Sequence, residues 1–139
     1  MNRRIFVDSN VWVYLFAKDD NSKSGIAASY LAENRRNSVL VVSYQVLNEV
    51  CNVLKKKQFS EPGLKMVIEY FSQLCVIQDY STAIALLACD LREQYSLSFW
   101  DSHIVASALT AKCQILASED MNDNQLINQV RIKNIFNKI

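Results

Sequence analysis

Two carboxylic acids stand directly beyond apolar runs that have the length of buried strands. Asp8 follows the apolar run 5–7, and Asp120 comes shortly after the run 114–118. Ligands of an open parallel sheet bind beyond the carboxyl ends of its strands, so acids in these places face the binding edge. We therefore expect Asp8 and Asp120 to lie on the same rim of a sheet.

Two further acids occupy helical segments on the side where an acid is unexpected. Glu49 has Val46 three residues before it and Val53 four residues after it, which places it at the edge of a buried stripe. Asp101 stands in the first turn of a predicted helix, on the same side as Ile104. A carboxylate that is removed from water needs a partner, so both positions are candidates for a site.

A divalent metal ion would explain why these acids are grouped. Carboxylates that converge without matching cations repel one another, and oxygen ligands with room for water suit Mg²⁺ or Mn²⁺. The only histidine, His103, stands two residues after Asp101 and points off that residue's face, which favours a structural or surface role. The chemistry is therefore expected to come from the metal ion, which acidifies water and neutralises a scissile phosphate.

Each acid also has an ordinary structural interpretation. Ser98 and Asp101 form the [ST]-x-x-[DE] pattern, which by itself favours a helix cap. Glu49 also fits an exposed helix position, and Asp8 or Asp120 would fit helix or turn caps. No single acid therefore establishes a site, and the interpretation depends on their combination.

The elements that must position the acids alternate between short apolar runs and segments of helical period. The predicted strands are 5–7, 39–42, 75–77, 115–117 and 130–135. The predicted helices are 22–36, 44–57, a segment that begins at 60 with Pro in its first turn, 81–95 and 100–112. Strands separated by helices imply βαβ units, so we predict an α/β fold with a mainly parallel central sheet and helices on both faces.

Composition restricts the class of protein. Half of the 139 residues are hydrophobic, and two Gly and one Pro are too few for a turn-rich sandwich, so helices should dominate a single domain over residues 1–139. The four cysteines are far apart in apolar stretches, which predicts reduced core residues. No apolar run approaches membrane-spanning length and the segment before Asp8 is too short for a signal peptide, so a cytoplasmic protein is expected.

The net charge of +1 argues against a protein that holds nucleic acid with its whole surface. Any basic surface must be local, and the candidate clusters are 35–36, 55–57 and the C-terminal group Arg131, Lys133 and Lys138. Each cluster taken singly fits a solvated helix end better than a binding surface.

The order and spacing of the acids resemble those of PIN domains, especially the VapC-type toxins of bacterial toxin–antitoxin pairs. The segments that resemble the four family motifs are FVDSNV at 6–11, QVLNEV at 45–50, SFWDSHIVA at 98–106 and LASEDM at 116–121. The resemblance runs from residue 4 to about residue 136 with no acid missing.

This resemblance implies a PIN-like three-layer sandwich and a metal-dependent endoribonuclease. Its catalytic and metal-binding residues would be Asp8, Glu49, Asp101 and Asp120, which would hold Mg²⁺ or Mn²⁺. Hydrolysis of RNA would leave a 5′-phosphate and a 3′-hydroxyl.

The resemblance also assigns supporting roles to polar neighbours of the acids. Ser9 would lie close to the metal, Asn10 would order the loop, and Ser118 would orient the fourth acid from behind. Asp123 is similar to a further acid sometimes found beside the fourth motif. Asn124 stands where relatives often have Gly, so the loop is expected to run differently there.

The partners implied by the resemblance are an RNA substrate, a cognate antitoxin and a second copy of the chain. The apolar stretch Trp12, Tyr14, Leu15 and Phe16 exceeds what one helix face can bury, which favours a homodimer. An antitoxin segment would place an Arg or Lys among the acids and dock on apolar helices near Trp12 and Tyr44.

Other functions fit less well. A phosphatase of the haloacid dehalogenase class needs a second Asp two residues after the first, where this chain has Asn10. A phosphate-accepting receiver domain needs an acidic pair after its first strand and a late Lys after a strand, and neither is evident. A non-catalytic PIN-like scaffold that binds RNA or protein remains the main alternative, although the presence of all four acids argues against it.

Overall fold

The computed structural model describes residues 3–137, so the ends of the predicted domain and Lys138 of the C-terminal basic cluster lie outside the described residues. The strands are β1 (Arg3–Val7), β2 (Ser38–Ser43), β3 (Val76–Gln78), β4 (Ile115–Ala117), β5 (Leu126–Ile127) and β6 (Val130–Lys133). The helices are α1 (Ser9–Ala17), α2 (Asn21–Asn37), α3 (Tyr44–Lys56), α4 (Glu61–Leu74), α5 (Thr82–Gln94) and α6 (Phe99–Thr110). Across residues 3–137, no helix is both long and apolar enough to cross a membrane.

The strands form one sheet in the order β3-β2-β1-β4-β6-β5. Every strand pair described is parallel except β5 with β6. The central strand β1 has Ile5, Phe6 and Val7 completely buried, as expected when helices cover both faces of a parallel sheet. The predicted α/β fold with a mainly parallel sheet is therefore confirmed.

Polar side chains set the beginnings of α2, α3, α4 and α5 by accepting a hydrogen bond from a backbone amide of the first turn. These caps are Asp20 for α2, Ser43 for α3, Ser60 for α4 and Ser81 for α5. In α4 the cap is followed by Pro62, whose missing N–H costs nothing in the first turn. The predicted start of this helix is therefore confirmed.

The last part of the sheet differs from the sequence prediction. Strand β6 ends at Lys133 instead of continuing to Ile135, because the next amide, of Asn134, donates to the carboxylate of Asp123 at 2.8 Å. The two-residue strand β5 was not predicted, since two residues are too short for an alternating pattern to be visible.

The apolar side chains of α1 are covered within the chain. Trp12 is completely buried and its indole N–H donates to the carbonyl of Val7 at 3.1 Å. The Trp12 ring lies 4.8 Å from the Phe71 ring of α4, and the Phe16 ring lies 5.3 Å from that of Tyr70. Trp12 is therefore unavailable to a dimer interface or to an antitoxin, whereas Tyr14, Leu15 and Phe16 are half-buried and the homodimer stays a prediction.

All four cysteines are free thiols. Cys113 is buried, and Cys51 and Cys75 are half-buried. Cys89 is exposed on α5, where Arg92 Nη2 donates to its sulfur at 3.3 Å. The prediction of core cysteines was therefore wrong for Cys89, which faces away from the apolar stripe of its helix.

Candidate active site

Asp8 is held where β1 passes into α1. The pairing of Val7 with Ala117 places the next residues of the two strands, Asp8 and Ser118, side by side. The Asp8 amide donates to the Ala117 carbonyl at 2.9 Å, and the Ser118 hydroxyl donates to Asp8 Oδ2 at 2.8 Å. The Ser9 amide donates to Asp8 Oδ1 at 2.8 Å, so each carboxylate oxygen has a hydrogen-bond donor and Asp8 also caps α1.

Burial raises the pKa of Asp8 above its ordinary value. The hydrogen bonds from Ser118 and Ser9 oppose this rise, and the negative charges of Asp101 and Asp120 add to it. A carboxylate that is buried beside other acids is destabilised in its charged form, so a cation at this place would bind favourably.

The loop after β4 carries Asp120 and is tied to α1 by Asn10. The Asn10 side-chain amide donates to Asp120 Oδ2 at 3.1 Å, while its carbonyl oxygen accepts from the Glu119 amide at 3.2 Å. The Asp120 amide donates to the Ser118 hydroxyl oxygen at 3.3 Å. Ser118 therefore links the backbone at Asp120 to the carboxylate of Asp8.

Glu119 supports this loop through contacts that sequence reasoning missed. Its carboxylate forms an ion pair with Lys23 of α2 and accepts a hydrogen bond from the Tyr14 hydroxyl at 2.7 Å. The Lys23 ammonium also lies 5.1 Å from the centre of the Tyr14 ring. Because Lys23 and Glu119 are 96 residues apart, no local pattern in the sequence could have indicated the pair.

Glu49 reaches the same edge of the sheet on α3, which begins where β2 ends. The Ser43 hydroxyl accepts from the Val46 amide at 3.2 Å and so fixes the start of this helix. Glu49 is exposed as a residue, yet partial desolvation of its carboxyl group, followed by the charges of Asp8 and Asp101, raises its pKa to about 7. The carboxyl group of Glu49 therefore belongs to the same electrostatic cluster as the buried Asp8.

Asp101 lies in the first turn of α6, and Ser98 is the cap of that helix. The Ser98 hydroxyl oxygen accepts from the Asp101 amide at 3.1 Å. Among the hydrogen bonds of residues 3–137, the Asp101 carboxylate does not accept from the Ser98 amide, which a full capping box requires. Desolvation raises the pKa of Asp101, the Ser98 hydroxyl opposes this, and the charge of Asp120 adds to it.

The four acids influence one another but do not form a closed metal-binding cluster. Within residues 3–137, no three Asp, Glu, His or Cys side chains are close enough together to hold a metal ion as a preformed group. The ion pairs of that part of the chain use Glu119, Glu61 and Asp19 instead of these four acids. The pKa values of Asp8, Glu49 and Asp101 are raised in part by neighbouring acids, and their carboxylate oxygens are the kind of ligand that a hard divalent ion prefers.

Asp123 points its carboxylate toward the segment after β6. The carboxylate accepts from the Asn134 amide at 2.8 Å and from the Asn137 side-chain amide at 3.2 Å. These two hydrogen bonds lower the pKa of Asp123. Asp123 therefore fastens the loop to the C-terminal segment.

Asn124 has a backbone φ of 67°, in the left-handed region that Gly adopts freely and Asn tolerates. Its amide donates to the Ile132 carbonyl at 2.8 Å, which ties the loop to β6. Asn124 therefore has a backbone conformation that Gly, the residue often found here in relatives, would also adopt.

His103 is buried in α6, which is one of the two roles predicted for it. Its Nδ1 lies 2.9 Å from the Phe99 carbonyl oxygen, and because a carbonyl only accepts, Nδ1 carries a proton. The ring packs 4.7 Å from the Phe99 ring and 5.8 Å from the Tyr80 ring.

Comparison with known proteins assigns this arrangement of strands and acids to a family. The profile of the PIN domain matches residues 5–126, and the chain therefore belongs to the PIN domain family, a family of nucleases. No curated protein sequence matches the chain.

Solved structures of toxin–antitoxin proteins share the fold. VapBC2 from Rickettsia felis, bound to a DNA fragment from their promoter, superposes with a TM-score of 0.72 at 18% identity over 94% of this chain and 97% of that chain. Mycobacterium tuberculosis VapC20, a toxin that cleaves the sarcin–ricin loop, superposes with a TM-score of 0.69 at 20% identity, over 85% of this chain and 91% of VapC20. A toxin–antitoxin complex from Klebsiella pneumoniae contains a chain that superposes with a TM-score of 0.68 at 21% identity, over 91% of this chain and 94% of that chain.

Proposed function

We propose that this chain is a metal-dependent endoribonuclease that hydrolyses phosphodiester bonds in RNA and acts as the toxin of a type II toxin–antitoxin pair. The observation that carries the proposal is the electrostatic cluster of four acids, in which the charges of Asp8, Asp101 and Asp120 help to raise the pKa values of Asp8, Glu49 and Asp101. The proposal is supported by the placement of Asp8 after β1, of Glu49 on the helix that follows β2 and of Asp120 after β4, because ligands of parallel sheets bind beyond these strand ends.

The four acids would hold Mg²⁺ or Mn²⁺ at this edge. A bound divalent ion neutralises the charge of the scissile phosphate and makes water more acidic. Asp8 is the most firmly fixed acid, because Ser9 and Ser118 each donate to one of its oxygens. Asn10 restrains Asp120, and the expected products are a 5′-phosphate and a 3′-hydroxyl.

The partners of the chain follow from the proteins that share its fold. The likeness to VapC20, a toxin that cleaves the sarcin–ricin loop, supports structured RNA as the substrate class. The likeness to VapBC complexes supports a cognate antitoxin, which would place an Arg or Lys among the acids. A homodimer rests on the family resemblance alone, and the cytoplasm is the expected compartment of the RNA and the antitoxin.

The central experiment measures cleavage of a pool of structured RNAs by the purified chain. Cleavage is expected with Mg²⁺ or Mn²⁺ and is expected to disappear in excess chelator and in Asp8→Asn, which keeps the shape but removes the charge. The matched control is Glu61→Gln, because Glu61 is an exposed acid that pairs with Lys55 and contributes to none of the raised pKa values of the four acids.

Full cleavage in chelator or in Asp8→Asn, with contaminating nuclease excluded, would contradict the metal-dependent mechanism. Binding of RNA without cleavage by the wild-type chain under all metal conditions would instead support the alternative of a non-catalytic scaffold.

The toxin role is tested by expression in bacteria. The wild-type chain is expected to slow growth, Asp8→Asn is expected to be harmless, and co-expression of the small open reading frame adjacent to the gene is expected to restore growth. A wild-type chain that is harmless at high expression and still active in the cell extract would remove the toxin role and leave the nuclease assignment intact.

A further inference from the structure

A cavity lined by aromatic rings adjoins the acidic site. It has a volume of about 420 Å³, and its aromatic lining consists of Tyr44, Tyr80, Phe99, Trp100 and His103. A neighbouring cavity of about 340 Å³ is lined by Glu49 and shares two residues, Gln45 and Trp100, with the first. The aromatic cavity therefore lies next to the cavity at Glu49.

The rings of this cavity are unusually open to solvent for aromatic side chains. The exposed fractions are 48% for Tyr44, 58% for Tyr80, 53% for Phe99 and 63% for Trp100. The buried ring of His103 supports them, lying 5.8 Å from Trp100 and stacked at 5.8 Å on Tyr80. Exposed aromatic faces that are held in place by their neighbours are surfaces on which unpaired bases stack.

The remaining lining of the cavity is polar but uncharged. Ser43, Gln45, Gln78 and Ser107 contribute hydroxyl and amide groups, and none of the Lys, Arg, Asp or Glu residues between 3 and 137 lines this cavity. Amide and hydroxyl groups form hydrogen bonds with the edges of splayed bases. Such a lining suits a neutral base better than a phosphate or a charged peptide side chain.

The cavity lies within reach of a nucleotide whose phosphate is at the acids. Trp100 directly precedes Asp101 at the start of α6, and Gln45 precedes Glu49 by four residues of α3. Four residues of helix span roughly 6 Å along the axis. One strand of RNA could therefore place its phosphate at the acids and a nearby base among the rings.

We propose that the aromatic cavity binds an unpaired RNA base beside the scissile phosphate, with the base stacked on Trp100. The proposal rests on the proposed ribonuclease function, since it assigns the cavity to the same RNA strand. Unpaired nucleotides next to the cut would then be required for tight binding, whereas a fully paired duplex would leave the cavity unfilled.

The test measures binding of short labelled single-stranded RNA by fluorescence anisotropy in Ca²⁺ at low temperature, with intact RNA verified on a gel. Trp100→Ala is expected to weaken binding roughly 5- to 150-fold, the range for loss of one stacked base, and Trp100→Phe is expected to bind nearly as the wild type does. The control is Leu86→Ala, because Leu86 is also 63% exposed but lies on α5 outside the cavity lining. A sugar–phosphate oligomer without bases should bind weakly and equally to all variants.

Tryptophan emission gives a second readout that is specific to the cavity. Because Trp12 is completely buried, quenching by bound bases should come from Trp100 and should be absent in Trp100→Phe, even though that variant still binds. A merely structural role of Trp100 would not produce this separation of binding from quenching.

Equal RNA affinity of Trp100→Ala and Leu86→Ala, or equal affinity of the wild type for RNA and the baseless oligomer, would overturn the proposal. A Trp100→Ala variant with unchanged RNA affinity but half the mass in light scattering would overturn it in favour of a second copy at this surface.

If the wild type cleaves no RNA while base-dependent binding is lost in Trp100→Ala, the ribonuclease function fails and the base site stands. If cleavage proceeds and affinity is unchanged, only the base site fails.

Discussion

Glu49 is exposed on a helix and yet has a pKa of about 7. Its ordinary value is 4.5, so the folded state holds its proton over a pH range in which the unfolded chain has lost it. Folded stability in the absence of metal is therefore expected to fall as pH rises through this range, since the folded state binds more protons. The charge of Glu49 is thus unfavourable to the fold until a cation is present.

We expect Glu49→Gln to melt at a higher temperature than the wild type at pH 8 in chelator, because the amide carries no charge. The difference should shrink as pH falls from about 7 to below 4.5, where Glu49 is protonated in both states. Melting curves across this pH range measure the effect, and added Mg²⁺ should stabilise the wild type more than the variant. A difference in melting temperature that does not vary with pH would contradict the assignment.

The acid and the cap at the start of α6 can be separated by a pair of substitutions. Asp101→Asn should abolish cleavage with little loss of stability, because the backbone amide that bonds to Ser98 is retained. Ser98→Ala should cost about 1 kcal/mol of stability while cleavage persists at low temperature. Melting and cleavage are measured on the same two preparations, and an Asp101→Asn protein that melts much earlier but cleaves normally would restore the capping interpretation.

The loop between β4 and β5 depends on one residue with an unusual backbone conformation, Asn124. Its side chain also accepts from Lys133 Nζ at 2.8 Å, which joins the loop to β6. Because Asp120 lies in the same loop, its position depends on both this turn and the contacts of Glu119 with α2.

We expect Asn124→Ala to lower stability by about 1–2 kcal/mol more than Asn124→Gly, because Ala is strained at positive φ and Gly is not. Both substitutions remove the bond to Lys133, so their difference isolates the backbone conformation. Chemical denaturation of the two variants measures this difference. Equal stability of the two variants would show that the turn has another conformation in solution.

In the whole molecule, the sheet order places β1 between β2 and β4, so the ends of adjacent strands supply the site. Asp8 follows β1, the acid-bearing helix α3 follows β2, and the loop with Asp120 follows β4. The rings of Trp12 and Phe16 in α1 pack against those of Phe71 and Tyr70 in α4.

We expect light scattering at micromolar concentration to give twice the monomer mass, as the family resemblance implies. Trp12→Ala should lower stability by about 3–5 kcal/mol, because it removes a completely buried ring, and should not act as a dimer-interface substitution. A monomer mass across the micromolar range would remove the homodimer proposal. A Trp12→Ala protein of full stability with the mass of a monomer would restore the interface predicted from the sequence.

The sequence by itself determined the features that depend on neighbouring residues. The apolar runs and helical periods predicted the order of the elements apart from α1 and β5, and the positions of Asp8 and Asp120 after strands predicted that they share an edge. Ser60 was recognised as the start of α4 because a cap acts within one turn. Each of these features depends on residues close together in the sequence, so a single sequence without homologues is enough to predict it.

Tertiary structure alone decided the contacts between residues that are distant along the chain. The bond from Ser118 to Asp8 spans 110 residues, and the pair of Lys23 with Glu119 spans 96. The burial of Trp12 against Phe71, which the sequence did not indicate, and the cavity beside Trp100 likewise need helices packed from separate segments. Hydrophobic periodicity states which face of a helix is buried but not which element covers it, because apolar burial is non-directional.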